Sequence, residues 1–223
     1  LPEKNNLGIT IEYKEQPNPG GLPEAFTIGE KFISNDNVSL ILGDNFFYGQ
    51  SLTKILKKNI NLKTGAKIFI HPVKRPQLFG VATLNKSKKV ISLKEKPKNS
   101  KSNLAVTGLY FFDKKVVELT KKLKQSKRGE LEIIDLLNLY KRKNKLKAEF
   151  IGRGGSWLDT GSINDFNDAS NYISTIENRQ GLKIACIEEI ALKNKWITKK
   201  EIARSISFYG NCEYSKYLKS LIN

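Results

Sequence analysis

The sequence predicts an α/β fold in which a mainly parallel sheet is covered by helices and followed by a helical C-terminal part. Short apolar runs that suit buried strands, such as "VSLIL" at 38–42, alternate with segments whose apolar residues recur at helical spacing, such as 52–60. From Asn164 onward the pattern is almost entirely helical. Alternating strands and helices are typical of a parallel sheet with helices on its faces.

Each predicted element rests on its own pattern. Continuous or alternating apolar runs predict strands, and an i, i+3, i+4 stripe predicts helices. Ser51 is a candidate cap for the helix at 52–60. The predicted order is a strand at 9–13, a helix at 22–33, a strand at 38–42, a helix at 52–60, a strand at 66–72, β-like runs in "FGVATL", "KVISLKEKP" and "VTGLYFFD", helices at 114–123 and 132–143, and a strand at 146–151.

The domain organisation has no internal repeat or linker to divide it. The whole chain, 1–223, is therefore expected to form a single domain, of which about 164–223 is a helical C-terminal extension. No apolar run approaches the roughly 18 residues that a membrane span needs, which favours a soluble, cytoplasmic protein without a membrane partner.

The charge balance is strongly basic, with 39 Lys+Arg against 22 Asp+Glu and a formal net charge of +17. Such a charge is a feature of nucleic-acid-binding proteins. However, the excess is lysine spread over the whole chain, whereas groove and phosphate recognition relies on arginine's planar fork. A solvated lysine-rich surface is the favoured interpretation, and a non-catalytic, nucleic-acid-associated protein is the alternative.

Cysteine and histidine chemistry is sparse. Cys186 and Cys212 are far apart in sequence, and His71 is the only histidine. No zinc-ligand spacing and no Ser/His/Asp triad can be built from them.

Two aspartates follow apolar strands and lie in glycine-rich turns. Asp44 follows the apolar residues of "LILGDN", and Asp159 lies in "WLDTGS", which the strand "LKAEFI" reaches through "GRGGSW". Ligands of α/β folds bind at the carboxyl ends of strands. Mg²⁺ takes one or two carboxylates and completes its octahedron with phosphate oxygens and water. The pair therefore predicts a Mg²⁺ site, with turn and helix caps as the alternative.

A lysine stands at the end of a third apolar run. In "SLKEKP", Lys96 follows Glu95 and precedes a proline that ends the strand. Its ammonium group is a candidate for binding a phosphate at the edge of the sheet.

Several motifs, in order along the chain, resemble those of one enzyme family. They are "YKEQPNPGGLPEAF", "LILGDNFFYG", "ISLKEKP", "SNLAVTGLYFFD", "RGELEIID", "GRGGSWLDTGS" and "ENRQGLKIACIEEIA". Together they are similar to the sugar-nucleotide pyrophosphorylases, a group of nucleotidyltransferases, from about Tyr13 to Ala191. The resemblance implies a Rossmann-like sheet and an enzyme that makes dTDP-glucose and pyrophosphate from dTTP and glucose 1-phosphate, with Mg²⁺.

The resemblance also implies roles for individual residues. Asp44 and Asp159 would bind the metal, and Lys96 the phosphate of the sugar. Catalysis would then rest on Asp44, Lys96 and Asp159. The implied substrate-binding residues are Gln16 on the pyrimidine base, Gly21 and Leu22 beside it, Asn45, Gly80, Glu95 and Val106 in the sugar 1-phosphate pocket, and Glu130 near the sugar.

The resemblance also implies an oligomeric state and leaves two nucleotide substrates open. Family members are homo-oligomers, often tetramers, so the same is expected here. Gln16 would read uracil as readily as thymine, which leaves a UTP-dependent uridylyltransferase as an alternative. The family's Gly-Gly-x-Gly-Thr-Arg-Leu loop is absent, as is any methionine, so the sequence is expected to lack the family's first strand, loop and helix.

Overall fold

The computed structural model describes residues 5–223, which form two compact units. The sheet unit is Lys14–Asp165, and the helical unit consists of the described residues up to Tyr13 together with Phe166–Asn223. Residues 1–4 of the predicted 1–223 domain lie outside the described residues. A single domain with a helical extension from about residue 164 stays a prediction.

No helix within residues 5–223 combines the length and apolar character needed to cross a membrane.

Helices and strands alternate through the sheet unit, and helices follow. In chain order the elements are α1 (Glu24–Ile28), α2 (Glu30–Ile33), β1 (Val38–Ile41), β2 (Asn45–Gly49), α3 (Leu52–Ile60), β3 (Ala66–Pro72), a 3-10 turn (Pro76–Leu78), β4 (Gly80–Leu84), β5 (Val90–Glu95), β6 (Leu104–Phe112), α4 (Val116–Thr120), α5 (Ile133–Arg142), β7 (Leu146–Phe150), β8 (Gly155–Asp159), α6 (Ile163–Gln180), α7 (Ile187–Lys193), α8 (Lys199–Tyr209) and α9 (Glu213–Ile222).

The main sheet is built around β6. Its order is β5-β4-β6-β3-β7, and β1 also pairs with β6. Tyr110 pairs with Ile68 of β3 on one side and with Leu40 of β1 on the other. The predicted α/β fold, with helices covering a central sheet and a helical C-terminal part, is confirmed.

Strand direction differs from the mainly parallel sheet that the sequence predicts. Within the described residues, β3 and β7 are parallel, whereas β6 runs antiparallel to β1, β3 and β4, and β4 runs antiparallel to β5. The reason lies in the connections, because a parallel pair needs a crossover of about a dozen or more residues. β4, β5 and β6 follow one another without an intervening helix.

Alternation along β6 divides the core into two layers. Val106, Tyr110 and Phe112 belong to a cluster that includes residues of α1, α4 and α5. Ala105, Leu109 and Phe111 belong to a second cluster, against which Ile55 and Leu56 of α3 pack. Since successive side chains of a strand point to opposite faces, β6 is buried on both. β6 is therefore the buried centre of the main sheet.

Two predicted elements differ locally. The predicted strand at 9–13 is irregular, and Ile9 and Tyr13 are 44% and 57% exposed, because the segment pairs with no strand among the described residues. The predicted helix at 22–33 is broken at Gly29, which ends α1 and begins α2. Glycine costs roughly 1 kcal/mol in a helix interior, which favours a break there.

The helical unit has its own small core. Cys186, Ala191, Ile197, Ile202 and Leu218 form a buried cluster. At the start of α8, Thr198 and Glu201 form a reciprocal capping box, which satisfies backbone N–H groups that the helix leaves open.

Candidate active site

A two-stranded ladder places the two predicted metal-binding aspartates at the same end. β2 and β8 pair antiparallel with Asn45 opposite Asp159, and Asp44 directly precedes Asn45. The backbone N–H and the hydroxyl of Thr160 donate to the carbonyl oxygen of Asp44 at 2.8 and 2.9 Å. The sequence predicts that strand ends deliver both acids to one edge, and the ladder that joins them is a feature it does not predict.

One oxygen of each aspartate carboxylate accepts a hydrogen bond. Oδ1 of Asp44 accepts a hydrogen bond from Nδ2 of Asn45 at 2.7 Å, and Oδ1 of Asp159 accepts one from the backbone N–H of Gly161 at 2.8 Å. Asp44 is exposed and Asp159 half-buried. Hydrogen bonds within residues 5–223 thus leave Oδ2 of both acids for a cation.

The donor set fits one kind of metal better than others. Over the described part of the chain, no group of three or more His, Cys, Asp or Glu side chains is placed to hold a metal ion. A pair of carboxylates with open oxygens instead fits Mg²⁺, which completes its shell with phosphate and water.

Asn45 occupies the centre of a hydrogen-bond chain. Its Oδ1 accepts from the indole Nε1–H of Trp157 at 2.6 Å and from the backbone N–H of Gly108 at 3.1 Å. A Cβ added at Gly108 would lie 2.6 Å from Cγ of Asn45. The absence of a side chain at Gly108 therefore allows Asn45 to reach β6.

A cavity of about 380 Å³ opens beside the aspartate pair. Its walls come from β4, β5, β6, β8 and the start of α5. Seven of the residues with predicted roles line it, namely Leu22, Asn45, Gly80, Glu95, Lys96, Val106 and Asp159. The structure thus brings most of the predicted site to one place.

Glu95 and Lys96 lie where β5 ends. Glu95 pairs with Gly80 across the ladder, and the N–H of Lys96 donates to the carbonyl oxygen of Phe79 at 3.0 Å. Burial raises the pKa of Glu95 above its ordinary value, and nearby Glu132 raises it further, while Lys96 and Arg128 oppose the shift.

The backbone of Lys96 is in an unusual conformation. Its φ is +38°, in a region that residues other than glycine rarely adopt, and Pro97 follows it. Strained residues of this kind cluster at functional sites. The conformation turns the chain sharply at the cavity, where the Lys96 side chain is exposed.

Gln16 and Gly21 contact each other but do not line the cavity. Nε2 of Gln16 donates to the carbonyl oxygen of Gly21 at 3.3 Å and to Oε2 of Glu24 at 2.6 Å. Gly21 has a φ of +102°, and a Cβ there would lie 2.1 Å from the carbonyl oxygen of Leu131. Only glycine fits at this position.

Asp44 and Glu130 also lie outside the lining of the cavity. Asp44 is joined to it through Asn45. The carboxylate of Glu130 lies 3.9 Å from the guanidinium of Arg128, which in turn holds both oxygens of Glu132 at 2.9 Å. Glu130 is therefore part of a charged loop next to the site.

Some lining residues are absent from the predicted set. Trp157, Phe79, Gly108 and Tyr110 all line the cavity. The signal for Trp157 is in the sequence, because residues two apart on a strand share a face and Asp159 follows it by two. Phe79 packs edge-on against Trp157 with ring centroids 5.1 Å apart.

A model of the nucleotidyl transferase family matches residues 1–176. The chain belongs to the nucleotidyl transferase family. It is an enzyme of the nucleotidyltransferase type.

The curated relatives agree with one another. The chain is 45% identical to the glucose-1-phosphate thymidylyltransferase of Neisseria meningitidis serogroup A / serotype 4A, covering 100% of this chain and 77% of that protein. It is 40% identical to the Mycobacterium tuberculosis (strain H37Rv) protein of the same name, covering 97% and 75%.

Solved structures share the fold. A Bacillus anthracis glucose-1-phosphate thymidylyltransferase crystallised with a sucrose is 37% identical, with a TM-score of 0.67 over 75% of this chain and 66% of that one. A UDP-glucose pyrophosphorylase complexed with UDP-glucose has a TM-score of 0.65 over 74% of this chain and 66% of that one. At 24% identity, the second match shows the fold alone.

Proposed function

We propose that this nucleotidyltransferase transfers a thymidylyl group from dTTP to glucose 1-phosphate, giving dTDP-glucose and pyrophosphate. The observation that carries the proposal is the aspartate pair: Asp159 lies opposite Asn45 across the β2/β8 ladder, Asp44 directly precedes Asn45, and Asp159 and Lys96 line the same cavity. A reaction between two phosphate-bearing substrates needs positive charge to stabilise the phosphates. The carboxylates can hold a metal cation for this purpose, and the ammonium group of Lys96 is itself such a charge. The relatives' shared name supports the choice of substrates.

The reaction needs no protein nucleophile. A phosphate oxygen of glucose 1-phosphate forms a bond to the α-phosphorus of dTTP, and the bond from that phosphorus to the leaving pyrophosphate breaks. The protein's task is to hold the two substrates in line and to stabilise charge as it develops.

Three residues carry the chemistry in this proposal. The ammonium group of Lys96 binds the phosphate of the sugar, and the carboxylates of Asp44 and Asp159 hold a divalent cation. Mg²⁺ would neutralise charge on the triphosphate when bound. The fixed Oδ1 atoms keep both open oxygens in place before any cation arrives.

The remaining predicted residues orient the substrates. Glu95 accepts hydrogen bonds from sugar hydroxyls, with Asn45, Gly80 and Val106 beside it and Glu130 at the rim. Gln16 offers one donor and one acceptor to the O4 and N3–H of a pyrimidine, with Gly21 and Leu22 alongside the base. Nε2 of Gln16 donates to Gly21 and Glu24 within the protein, so the O4 of a bound pyrimidine would replace one of these two acceptors.

Uridylyl transfer is a second candidate, favoured by one feature. The edge that Gln16 would read is identical in thymine and uracil, so this residue cannot separate dTTP from UTP. A nucleic-acid role instead rests on the net charge of +17 alone.

The proposal is tested by supplying the chain with glucose 1-phosphate, Mg²⁺ and one triphosphate at a time. We expect pyrophosphate and dTDP-glucose from dTTP, a lower kcat/KM with UTP, a much lower kcat/KM with dATP, and no turnover after chelation of Mg²⁺. A higher kcat/KM with UTP would favour the uridylyltransferase. No sugar nucleotide from either, together with salt-sensitive binding of DNA or RNA, would favour the nucleic-acid role.

Location and assembly are further parts of the proposal. We place the enzyme in the cytoplasm as a homo-oligomer, as expected from the family resemblance, and light scattering of the purified chain measures its assembly.

A further inference from the structure

We propose that Trp157 and Asn45 are positioning residues that orient the carboxylate of Asp44 for cation binding. The inference rests on the proposed function, because it assumes that Asp44 holds a cation. In this arrangement the indole N–H of Trp157 orients the amide of Asn45, and the amide of Asn45 orients the carboxylate of Asp44.

The chain of hydrogen bonds is continuous from indole to carboxylate. Nε1–H of Trp157 donates to Oδ1 of Asn45 at 2.6 Å, and Nδ2 of Asn45 donates to Oδ1 of Asp44 at 2.7 Å. The backbone N–H of Gly108 is a second donor to Oδ1 of Asn45, at 3.1 Å. With two donors on its oxygen, the amide of Asn45 has one stable orientation, in which Nδ2 faces Asp44.

The indole is itself fixed by packing. Trp157 is 8% exposed, and its ring contacts Phe79 at a centroid distance of 5.1 Å and His71 at 6.4 Å. Residue 108 completes the arrangement, because any side chain there would occupy the space of the Asn45 amide. A rigid aromatic anchor on β8 and a bare stretch of β6 thus hold the amide from two sides.

Fixing Oδ1 of Asp44 has a direct consequence for its other oxygen. A carboxylate on an exposed turn rotates about its Cα–Cβ and Cβ–Cγ bonds, and one hydrogen bond to Oδ1 restricts both rotations. Partners that orient a metal-binding carboxylate change metal affinity by about 10- to 100-fold. Trp157 therefore acts on Asp44 through Asn45, without touching the cation.

The test measures Mn²⁺ binding by electron paramagnetic resonance, with the metal alone, in Asp44→Asn and in three further variants. We expect Asn45→Ala to weaken Mn²⁺ binding by about 10- to 100-fold. Trp157→Phe keeps the aromatic packing and loses the N–H, so a loss of about three- to tenfold is expected. Trp196→Phe is the matched control, since it changes the chain's other tryptophan, and should bind Mn²⁺ as the unaltered chain does.

A spectroscopic measurement follows the chain of hydrogen bonds from Trp157 through Asn45 to Asp44, here called the relay, without reference to the metal. In the Trp196→Phe background, the single indole N–H resonance reports on Trp157. We expect Asn45→Ala to move that ¹⁵N–¹H resonance upfield and to speed its exchange with water. Circular dichroism of each variant confirms that it is folded.

The outcomes separate the relay from the proposed function. If Asp44→Asn leaves Mn²⁺ affinity unchanged, the proposed cation site fails and the relay fails with it. If Asp44→Asn weakens binding while folded Trp157→Phe does not, the relay alone is wrong. A higher KM for glucose 1-phosphate in Trp157→Phe, with Mn²⁺ affinity unaltered, would make Trp157 a wall of the sugar pocket and would also overturn the relay.

Discussion

Glu95 offers a prediction in which charge, burial and substrate binding can be separated. Its carboxylate lines the cavity, and burial and Glu132 raise its pKa, while Lys96 and Arg128 oppose them. The perturbation is Glu95→Gln, which keeps the shape of the side chain and removes its charge. If Glu95 accepts hydrogen bonds from the sugar, the change should weaken glucose 1-phosphate and leave dTTP nearly unaffected.

The expected magnitude follows from the type of bond. A hydrogen bond to a charged acceptor contributes about 1.5–3 kcal/mol, and each 1.4 kcal/mol is tenfold in affinity. The KM for glucose 1-phosphate should therefore rise by about 10- to 150-fold. Glu118→Gln is the matched control, because Glu118 is an exposed glutamate of α4 that does not line the cavity.

The direction of the pKa shift adds a pH dependence. The raised pKa means that Glu95 takes up its proton at a higher pH than the ordinary 4.5. As the pH falls through that pKa, the unaltered enzyme should lose affinity for glucose 1-phosphate and approach Glu95→Gln. Steady-state kinetics on both proteins from pH 8 downward measure the ratio of their KM values. A ratio near one at pH 7.5, or a ratio that does not change with pH, would refute this role of Glu95.

Three further predictions concern single side chains. Lys96→Ala should raise the KM for glucose 1-phosphate at least tenfold more than that for dTTP, since one substrate alone loses a charge-assisted contact, and equal losses in steady-state kinetics would place Lys96 elsewhere. Gln16→Leu should cost about 1–3 kcal/mol of the preference for dTTP over dATP, measured as kcat/KM, and an unchanged preference would show that another group reads the base. Burial raises the pKa of Glu149, but hydrogen bonds from neighbours that include Lys58 and Lys67 outweigh it and hold that pKa below its ordinary value. Glu149→Gln should therefore destabilise the fold by about 1–3 kcal/mol at pH 7 in urea unfolding, and the difference should vanish as the pH falls through the lowered pKa, whereas a difference independent of pH would contradict the pairing.

The main strands and helices follow from local pattern. The sequence predicts a strand at 66–72, and β3 covers the same residues, because a continuous apolar run finds partners on both sides. The run at 9–13 has a similar pattern without a partner strand among the described residues, and it stays irregular. Apolar content alone does not separate these two cases.

Strand direction and the β2/β8 ladder depend on contacts distant in sequence. β2 pairs with β8 more than 100 residues away, and its five residues are all half-buried. A strand without alternating burial has no period-2 signal to identify it. The sequence nevertheless predicts both acids at one edge, because Asp44 and Asp159 follow apolar runs and lie in glycine-rich turns.

The finer arrangement of the site depends on side-chain geometry. The indole of Trp157 reaches Asn45, which stands 112 residues away in sequence, and Gly108 leaves room for that contact. Composition and motif spacing do not predict a contact among Trp157, Asn45 and Gly108. The cavity likewise forms from β4, β5, β6 and β8 together, so its lining appears only when the strands are assembled.

The central claim is that Asp44 and Asp159 hold one cation, and the most direct measurement is turnover of their asparagine variants across a Mg²⁺ titration. Asp44→Asn and Asp159→Asn are nearly isosteric, and Asp36→Asn, an exposed aspartate that does not line the cavity, is the matched control. If both acids hold the same ion, each single variant should lose most turnover and be partly rescued by raised Mg²⁺. The double variant should then be little worse than the poorer single one, because residues that act as a unit are not additive. Full activity of either single variant with unaltered Mg²⁺ dependence, accompanied by a loss of about 1 kcal/mol in stability, would show that its carboxylate only caps a turn.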